Sequence, residues 1–147
     1  NTRLILIEIP KRQAVAILSL VNTNQGVETY LTADGVSISL QDGLVVATRG
    51  FGFDLMTADV SETAARLRRG AGETVRIHRY LNGENQIVAQ SLRCDLRFHN
   101  ALSATETCKS ASGYFENSYT FNESGRITES KQWVSLEIGL LEVQVLN

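Results

Sequence analysis

The residues of this chain that could do chemistry are two histidines, two cysteines, a concentration of arginines and a late cluster of aromatics. His78 and His99 lie far apart, with no cysteine or carboxylate at ligand spacing beside either, so a zinc centre is not expected. No Gly-x-Ser-x-Gly elbow accompanies them, so an activated serine is not indicated. The sixteen acidic residues include no pair whose spacing implies acid and base roles. Gly50-Phe51-Gly52-Phe53 has the glycine spacing of a phosphate loop but neither a Gly-Lys-Ser ending nor a long helix after it. It reads as a bend leading out of the preceding strand. No catalytic residue, metal or cofactor is expected, and the chain reads as non-enzymatic.

Charge is the stronger signal. Residues 66–99 carry seven arginines against Glu73, Glu84 and Asp95, a local excess of +4 in a protein of net charge −2. Such a stretch can form a face for an anionic partner. Long arginine side chains can equally cover sheet edges and apolar surface. Tyr114, Phe115, Tyr119, Phe121 and Trp133 gather in the last third. Aromatic faces stack on the C–H faces of sugars, and arginine forks bind carboxylates, although the same residues could be plain sheet core.

These groups need a scaffold, and 147 residues suffice for one domain with a sizeable core, here taken as 1–147. At 43% hydrophobic and 20% charged, the composition is that of an ordinary globular protein. No apolar run reaches the ~18 residues of a membrane span, and the balance is far from the basic signature of a nucleic-acid binder. Short apolar or alternating runs at 4–9, 14–21, 27–31, 36–40 and 44–48 read as strands. Asp34-Gly35 and Asp42-Gly43 mark tight hairpins among them. Ser61–Arg69 breaks the period with Ala64, Ala65 and Leu67 at helical spacing, Ser61 as cap and Gly70 as stop. The fold class is all-β and mainly antiparallel: a large curled meander of about ten strands with one short helix near residues 61–69.

The hairpin around Asn82-Gly83 organises the candidate site. A two-residue type I′ turn there would set Ile77 opposite Val88. Alternation then puts Val75, Ile77, Val88, Leu92, Cys94, Leu96 and Phe98 on one face. The other face would carry Arg76, His78 and Tyr80 with Arg93, Asp95, Arg97 and His99. Arg76, His78, Arg79, Tyr80, Arg93 and Arg97 are therefore the candidate ligand-binding residues. A turn centred near Ala101 sets Cys94 opposite Cys108. They form either a disulfide, closing a loop of about 15 residues worth roughly 3 kcal/mol, or two reduced thiols, one inside and one exposed.

The run Tyr30-Leu31-Thr32-Ala33-Asp34-Gly35, then Gln41-Asp42-Gly43-Leu44-Val45-Val46-Ala47-Thr48, then Asp54-Leu55 resembles the YjbF family of bacterial lipoproteins, which includes the group 4 capsule lipoprotein GfcB. His78-Arg79-Tyr80, Phe115–Phe121 and the later Gly125, Ile127, Ser130, Gln132 and Trp133 extend the resemblance, in order, over nearly the whole chain. The resemblance implies a curled antiparallel meander and a lipid-anchored protein on the periplasmic side of the outer membrane. It also implies an accessory role in extracellular polysaccharide or capsule production, with no catalytic residues to carry over. The family's lipid-bearing cysteine and signal peptide would precede Asn1, and the turn near Asn100 lacks an expected glycine. A periplasmic address would permit a Cys94–Cys108 bridge.

The expected partners are an extracellular polysaccharide, anionic if the arginine face binds it, or polysaccharide-export proteins, with the membrane reached through the N-terminal lipid. Nucleic acid is not expected. The alternative function is a periplasmic carrier of a lipid or lipid-linked sugar, which requires an apolar groove of a few hundred Å³.

Overall fold

The computed structural model describes residues 2–111 and 113–147. The strands are β1 (Leu4–Ile9), β2 (Ala14–Asn24), β3 (Val27–Leu31), β4 (Ser37–Gln41), β5 (Leu44–Arg49) and β6 (Leu55–Asp59). After helix α1 (Ser61–Arg69) come β7 (Gly72–Leu81), β8 (Ile87–Asn100), β9 (Ser103–Ser110), β10 (Gly113–Phe121), β11 (Ile127–Ser135) and β12 (Gly139–Val145). The expected all-β meander with a helix at 61–69 is present, with twelve strands rather than about ten. The unforeseen β6 follows the Gly50–Phe53 bend.

Every pairing is antiparallel, in the order β5-β4-β3-β2-β1-β12-β11-β10-β9-β8-β7-β6, and the sheet curls into a nearly closed barrel. Its edges, β5 and β6, would leave unpaired main-chain groups. Side chains of β5 close that seam. The Arg49 guanidinium donates to the carbonyls of Leu55 and Met56, each at 3.0 Å, and the Leu55 amide donates to Thr48 Oγ1 at 3.0 Å.

A barrel of eight strands is already about as wide as side chains can fill, so twelve must collapse inward. Here β5 lies against β11 across the interior. Gln132 on β11 donates from Nε2 to the Gly43 carbonyl at 2.9 Å and accepts the Val45 amide at 2.9 Å. The pinch separates the two larger lobes of the core, and Leu92, Cys94 and Cys108 form a third, small cluster. Ile5, Ile7, Leu18, Tyr30, Ile38 and Val45 belong to one lobe, and Leu44, Val46, Leu96, Tyr119 and Phe121 to the other. Consecutive Leu44, Val45 and Val46 are all buried because each face of β5 meets a different lobe.

The up-and-down order gives the barrel two rims. One holds both chain ends, the β2–β3, β4–β5, β8–β9 and β10–β11 turns, and α1; we call it the terminal rim. Thr2 and Asn147 meet there through a 3.0 Å bond from Asn147 Nδ2 to the Thr2 carbonyl. The opposite rim holds the 50–54, 82–86 and 136–138 connections. Helix α1 starts differently from the expectation: Ser61 is inside it, and Asp59 Oδ1 accepts the Ser61 amide at 3.0 Å and its hydroxyl at 2.7 Å.

Asp42 and Gly43, at φ of 53° and 82°, make the two-residue turn expected between β4 and β5. The β7–β8 turn does not follow the expectation. Leu81 pairs with Ile87 rather than Glu84, around a five-residue loop. Asn82 Oδ1 accepts the amides of Glu84 and Gln86 at 2.9 and 3.0 Å, and Asn85 takes the left-handed conformation at φ 58°. A register three residues from the expected one turns β8 over relative to β7.

Candidate functional site

The turned register decides where the candidate residues go. Arg76 pairs with Leu92 and Thr74 with Cys94, so the Arg76-His78-Tyr80 side of β7 shares the interior with the apolar side of β8. Arg76 is 1% and His78 0% exposed. Arg93 and Arg97 stand on the outer surface, where Arg97 Nε meets Asp95 Oδ2 at 2.8 Å. Arg79 is half-buried on that outer side. The six candidates therefore do not form one face: the loop length separates Arg93 and Arg97 from Arg76, His78 and Tyr80, and alternation along β7 already sets Arg79 on the other side.

Inside the barrel Arg76 finds its counter-charge. Its Nη1 donates to Glu106 Oε1 at 2.8 Å, and the same oxygen accepts Tyr119 Oη at 2.6 Å and Asn117 Nδ2 at 3.0 Å. Oε2 accepts Thr63 Oγ1 from α1 at 2.7 Å. Burial raises the Glu106 carboxyl, but Arg76 and these three donors outweigh it and hold the group below its ordinary value. Burial, reinforced by the Glu106 charge, pushes the Tyr119 phenol well up.

Cys94 and Cys108 are direct cross-strand partners beside this network, with their sulfurs bonded at 2.05 Å. Their sulfurs and the Glu106 carboxylate lie within 4.8 Å of one another. The sulfurs are engaged with each other, and the Glu106 charge is answered by Arg76. The trio is thus a packed joint rather than a metal seat.

His78 continues the polar row toward the opposite rim. Its Nδ1 lies 3.1 Å from Tyr80 Oη, and Tyr80 Oη donates its proton to the Val134 carbonyl. The phenol has one proton, so His78 Nδ1 must be the donor in the first bond. Nε2 is then a bare acceptor, buried and unpartnered. Burial, with the Arg76 charge adding, lowers the imidazole to about 3. Burial, with Glu137 adding, raises the Tyr80 phenol.

The Tyr80 contact belongs to a local opening of the sheet. Pairing of β10 with β11 runs from Ser118↔Lys131 to Phe121↔Ile127. Nearer the opposite rim, side chains serve β11 instead: Asn117 Oδ1 accepts the Trp133 amide at 2.8 Å, and Tyr80 caps Val134. Trp133 fills the gap, stacked on Phe115 at 4.3 Å and 10°, with the His78 ring also near it at 6.3 Å and 21°.

Beside this wall is a cleft of about 300 Å³, lined by Tyr80, Tyr114, Phe115, Trp133 and Phe53 with the carboxylates of Asp54 and Glu137. Phe53 and Tyr114, 67% and 73% exposed, stand at its lip. Asp54 is fixed by Thr48 Oγ1 at 2.8 Å and by the amides of Gly50 and Phe51. No arginine or lysine is among the described lining residues. The chemistry on offer is ring contact plus hydrogen-bond acceptance from hydroxyls.

A profile described as "Group 4 capsule polysaccharide lipoprotein gfcB, YjbF" matches residues 1–146. The chain belongs to the YjbF family. No curated protein matches it in sequence. Among solved structures, the hypothetical lipoprotein YmcC from Escherichia coli (K12) is similar, with a TM-score of 0.84. That likeness covers 99% of this chain and 84% of that one at 14% identity, and it carries the fold alone. Membership in the YjbF family supports a role in capsule production and a location in the cell envelope.

In this YjbF-family chain the aromatic signal in the sequence splits. Tyr114, Phe115 and Trp133 reach the cleft, while Tyr119 bonds Glu106 and Phe121 stacks on Phe98 in the core. Of the six candidates only Tyr80 lines the cleft. Phe53, Asp54 and Glu137 were missed because each sits on a connection, where periodicity carries no information. The Phe-Asp that ends the Gly-Phe-Gly-Phe-Asp run, directly before a strand, was the available signal.

Proposed function

We propose that the protein is a non-catalytic envelope accessory that holds sugar units of an extracellular polysaccharide in the aromatic cleft. The supporting observation is the prestacked Phe115–Trp133 wall, set beside two exposed rings and two carboxylates with no cationic side chain in the described lining. Aromatic walls take the apolar face of a sugar ring, and fixed carboxylates accept its hydroxyls. Lys109 Nζ lies over the Tyr114 ring at 5.5 Å, so the lip carries one cation beside two carboxylates, a balance that favours neutral sugars over the anionic glycan that an arginine face would select. At about 300 Å³ the cleft is at the small end of ligand pockets and suits one or two sugar rings.

The chain ends support an orientation. Both lie at the terminal rim, so a lipid anchor ahead of Asn1 would bring that rim to the periplasmic face of the outer membrane and leave the cleft pointing away. Export proteins are the natural recipients of a glycan held there.

Trp133 is the only tryptophan in the chain, so its emission reports directly on the cleft. Titration with oligosaccharides cut from the source strain's exopolysaccharide should shift it saturably and with little salt dependence. Tyr114→Ala should weaken binding about 3- to 10-fold, the worth of one aromatic contact. Unchanged emission at millimolar sugar, or binding that fades with salt and is lost in Arg93→Ala/Arg97→Ala, would refute the reading.

A further inference from the structure

A larger opening than the aromatic cleft is at the other end of the barrel. A cavity of about 750 Å³ at the terminal rim has Leu40, Leu67, Phe121, Ile127, Val143 and Val145 among its lining residues. It lies above the pinch, where Gly43 packs so closely that an added Cβ would stand 2.8 Å from Ile127 Cβ. Helix α1 contributes Ala64 and Leu67 to the wall. Water filling this space would face, at the leucine, phenylalanine, isoleucine and valine side chains, walls that offer no hydrogen bond. Apolar surface wetted in this way is what an apolar ligand releases.

The rim is charged, and its charges do not cancel. Arg3 pairs with Glu28 at 2.6 Å and Arg68 with Asp42 at 3.6 Å. Arg126, half-buried in the lining, makes no ion pair among the described residues. Three arginines against two carboxylates leave one positive charge at the mouth. An open space with more apolar than polar wall, beside an unpaired guanidinium, has the polarity of a site for an amphiphile. The volume lies well within the range of sites that enclose small ligands.

We infer that the terminal rim is a second binding site, which takes the tail of a long-chain amphiphile between the core lobes and its anionic head against Arg126. The tail could belong to a membrane phospholipid or to an isoprenoid phosphate; both present the same chemistry to this mouth. The site is separate from the aromatic cleft, at the opposite end of the barrel, and it does not depend on sugar binding there.

The two ends are distinguishable in one experiment. The whole protein is mixed with lauroyl-lysophosphatidylglycerol or farnesyl phosphate below their micelle concentrations and examined by native mass spectrometry, while Trp133 emission is recorded. The expected result is a saturable 1:1 adduct with one or both, while the emission of Trp133 at the far rim stays unchanged. Arg126→Glu should weaken binding at least tenfold, and dodecyl maltoside, with a comparable tail and a neutral head, should bind at least tenfold less tightly. Leu67→Trp fills the mouth from the helix side and Val145→Trp from the β12 side; whichever variant keeps the wild-type circular dichroism should lose the adduct. Preference for farnesyl phosphate would identify isoprenoid carriers as the source, and preference for the lysolipid would identify phospholipids. Failure of the folded protein to form a saturable adduct with either anionic amphiphile overturns the inference. So does an adduct that survives both Arg126→Glu and a folded mouth-filling variant, or equal binding of dodecyl maltoside.

Discussion

Lowering the pH from 7 to 5 should destabilise this protein by about 2 kcal/mol through one residue, His78. Its side chain is buried with Nε2 bare, and the proton that would be added there has no acceptor and faces the Arg76 charge. The folded-state value is about 3, against 6.5 for an unperturbed histidine. Between those values the unfolded chain holds a proton that the folded chain refuses, so stability rises with pH across the window and falls as pH drops. Each pH unit is worth about 1.36 kcal/mol, and pH 5 lies 1.5 units below the unfolded value, which gives about 2 kcal/mol. Carboxylates add little in this range, because their unfolded values lie near 4.

Urea unfolding at pH 7 and pH 5, wild type against His78→Phe, measures the effect. The variant keeps a flat aromatic ring beside Trp133 and cannot take up a proton, so its stability should be nearly level over the same interval whatever its absolute value. Imidazole nitrogen shifts give a second check: His78 should show a protonated Nδ1 and a bare Nε2 down to pH 5. A titration midpoint above 5 in the folded protein, an Nε2–H tautomer, or equal pH slopes in the two proteins would refute the reasoning.

Glu106→Gln leaves Arg76 buried without a counter-charge and should cost about 3–5 kcal/mol in urea unfolding; Arg76→Met combined with it should cost less than the sum of the two single changes. Because the Glu106 carboxyl is held low, its contribution is present above its unfolded value near 4.3 and lost as pH falls through the folded one, so Glu106→Gln should flatten stability below pH 4. Replacing Cys94 and Cys108 together by alanine removes a bridge spanning 14 positions and should lower stability by about 3 kcal/mol, measured against the oxidised wild type. Gly43→Ala and Gly35→Ala both place a side chain at positive φ, but only the first meets a neighbour, Ile127 Cβ at 2.8 Å. The first should therefore cost about 1–3 kcal/mol more than the second in the same assay.

The fold class was legible because strand alternation and turn residues are local signals. Val36–Leu40 alternates, Asp42-Gly43 demands a two-residue turn, and Ser61–Arg69 breaks the period; each feature is present in the structure. The pinch was not legible. It depends on Gln132 reaching the main chain of β5, residues 87 and 89 positions away, and nothing in the neighbourhood of either segment announces it. The seam is local, since Arg49 reaches carbonyls only six and seven positions on, but Arg49 reads as one more surface cation until β6 is known to lie beside it.

The expected placement of Arg76 and His78 beside Arg93 and Arg97 failed on one loop, and the reason is physical. Asn82-Gly83 is a strong type I′ signal, yet the turn actually made follows a pattern found twice elsewhere in this chain. Thr32–Val36 and Asn122–Arg126 are five-residue loops in which the first residue bonds back to the fifth and the fourth, Gly35 or Gly125, has positive φ. Asn82–Gln86 is the same loop with Asn85 in the place of glycine, since asparagine tolerates the left-handed region better than other side chains. The glycine that mattered for the comparison was the one missing at position 85, not the one present at 83. Counting five loop residues instead of two would have moved the register by three, put Arg76 and His78 inside, and required a buried counter-charge. Glu106, two strands over on the same sheet face, supplies it. With Arg76 and His78 drawn inside and Arg93 and Arg97 left on the outer surface, the aromatic residues at the opposite rim are the better ground for a binding site.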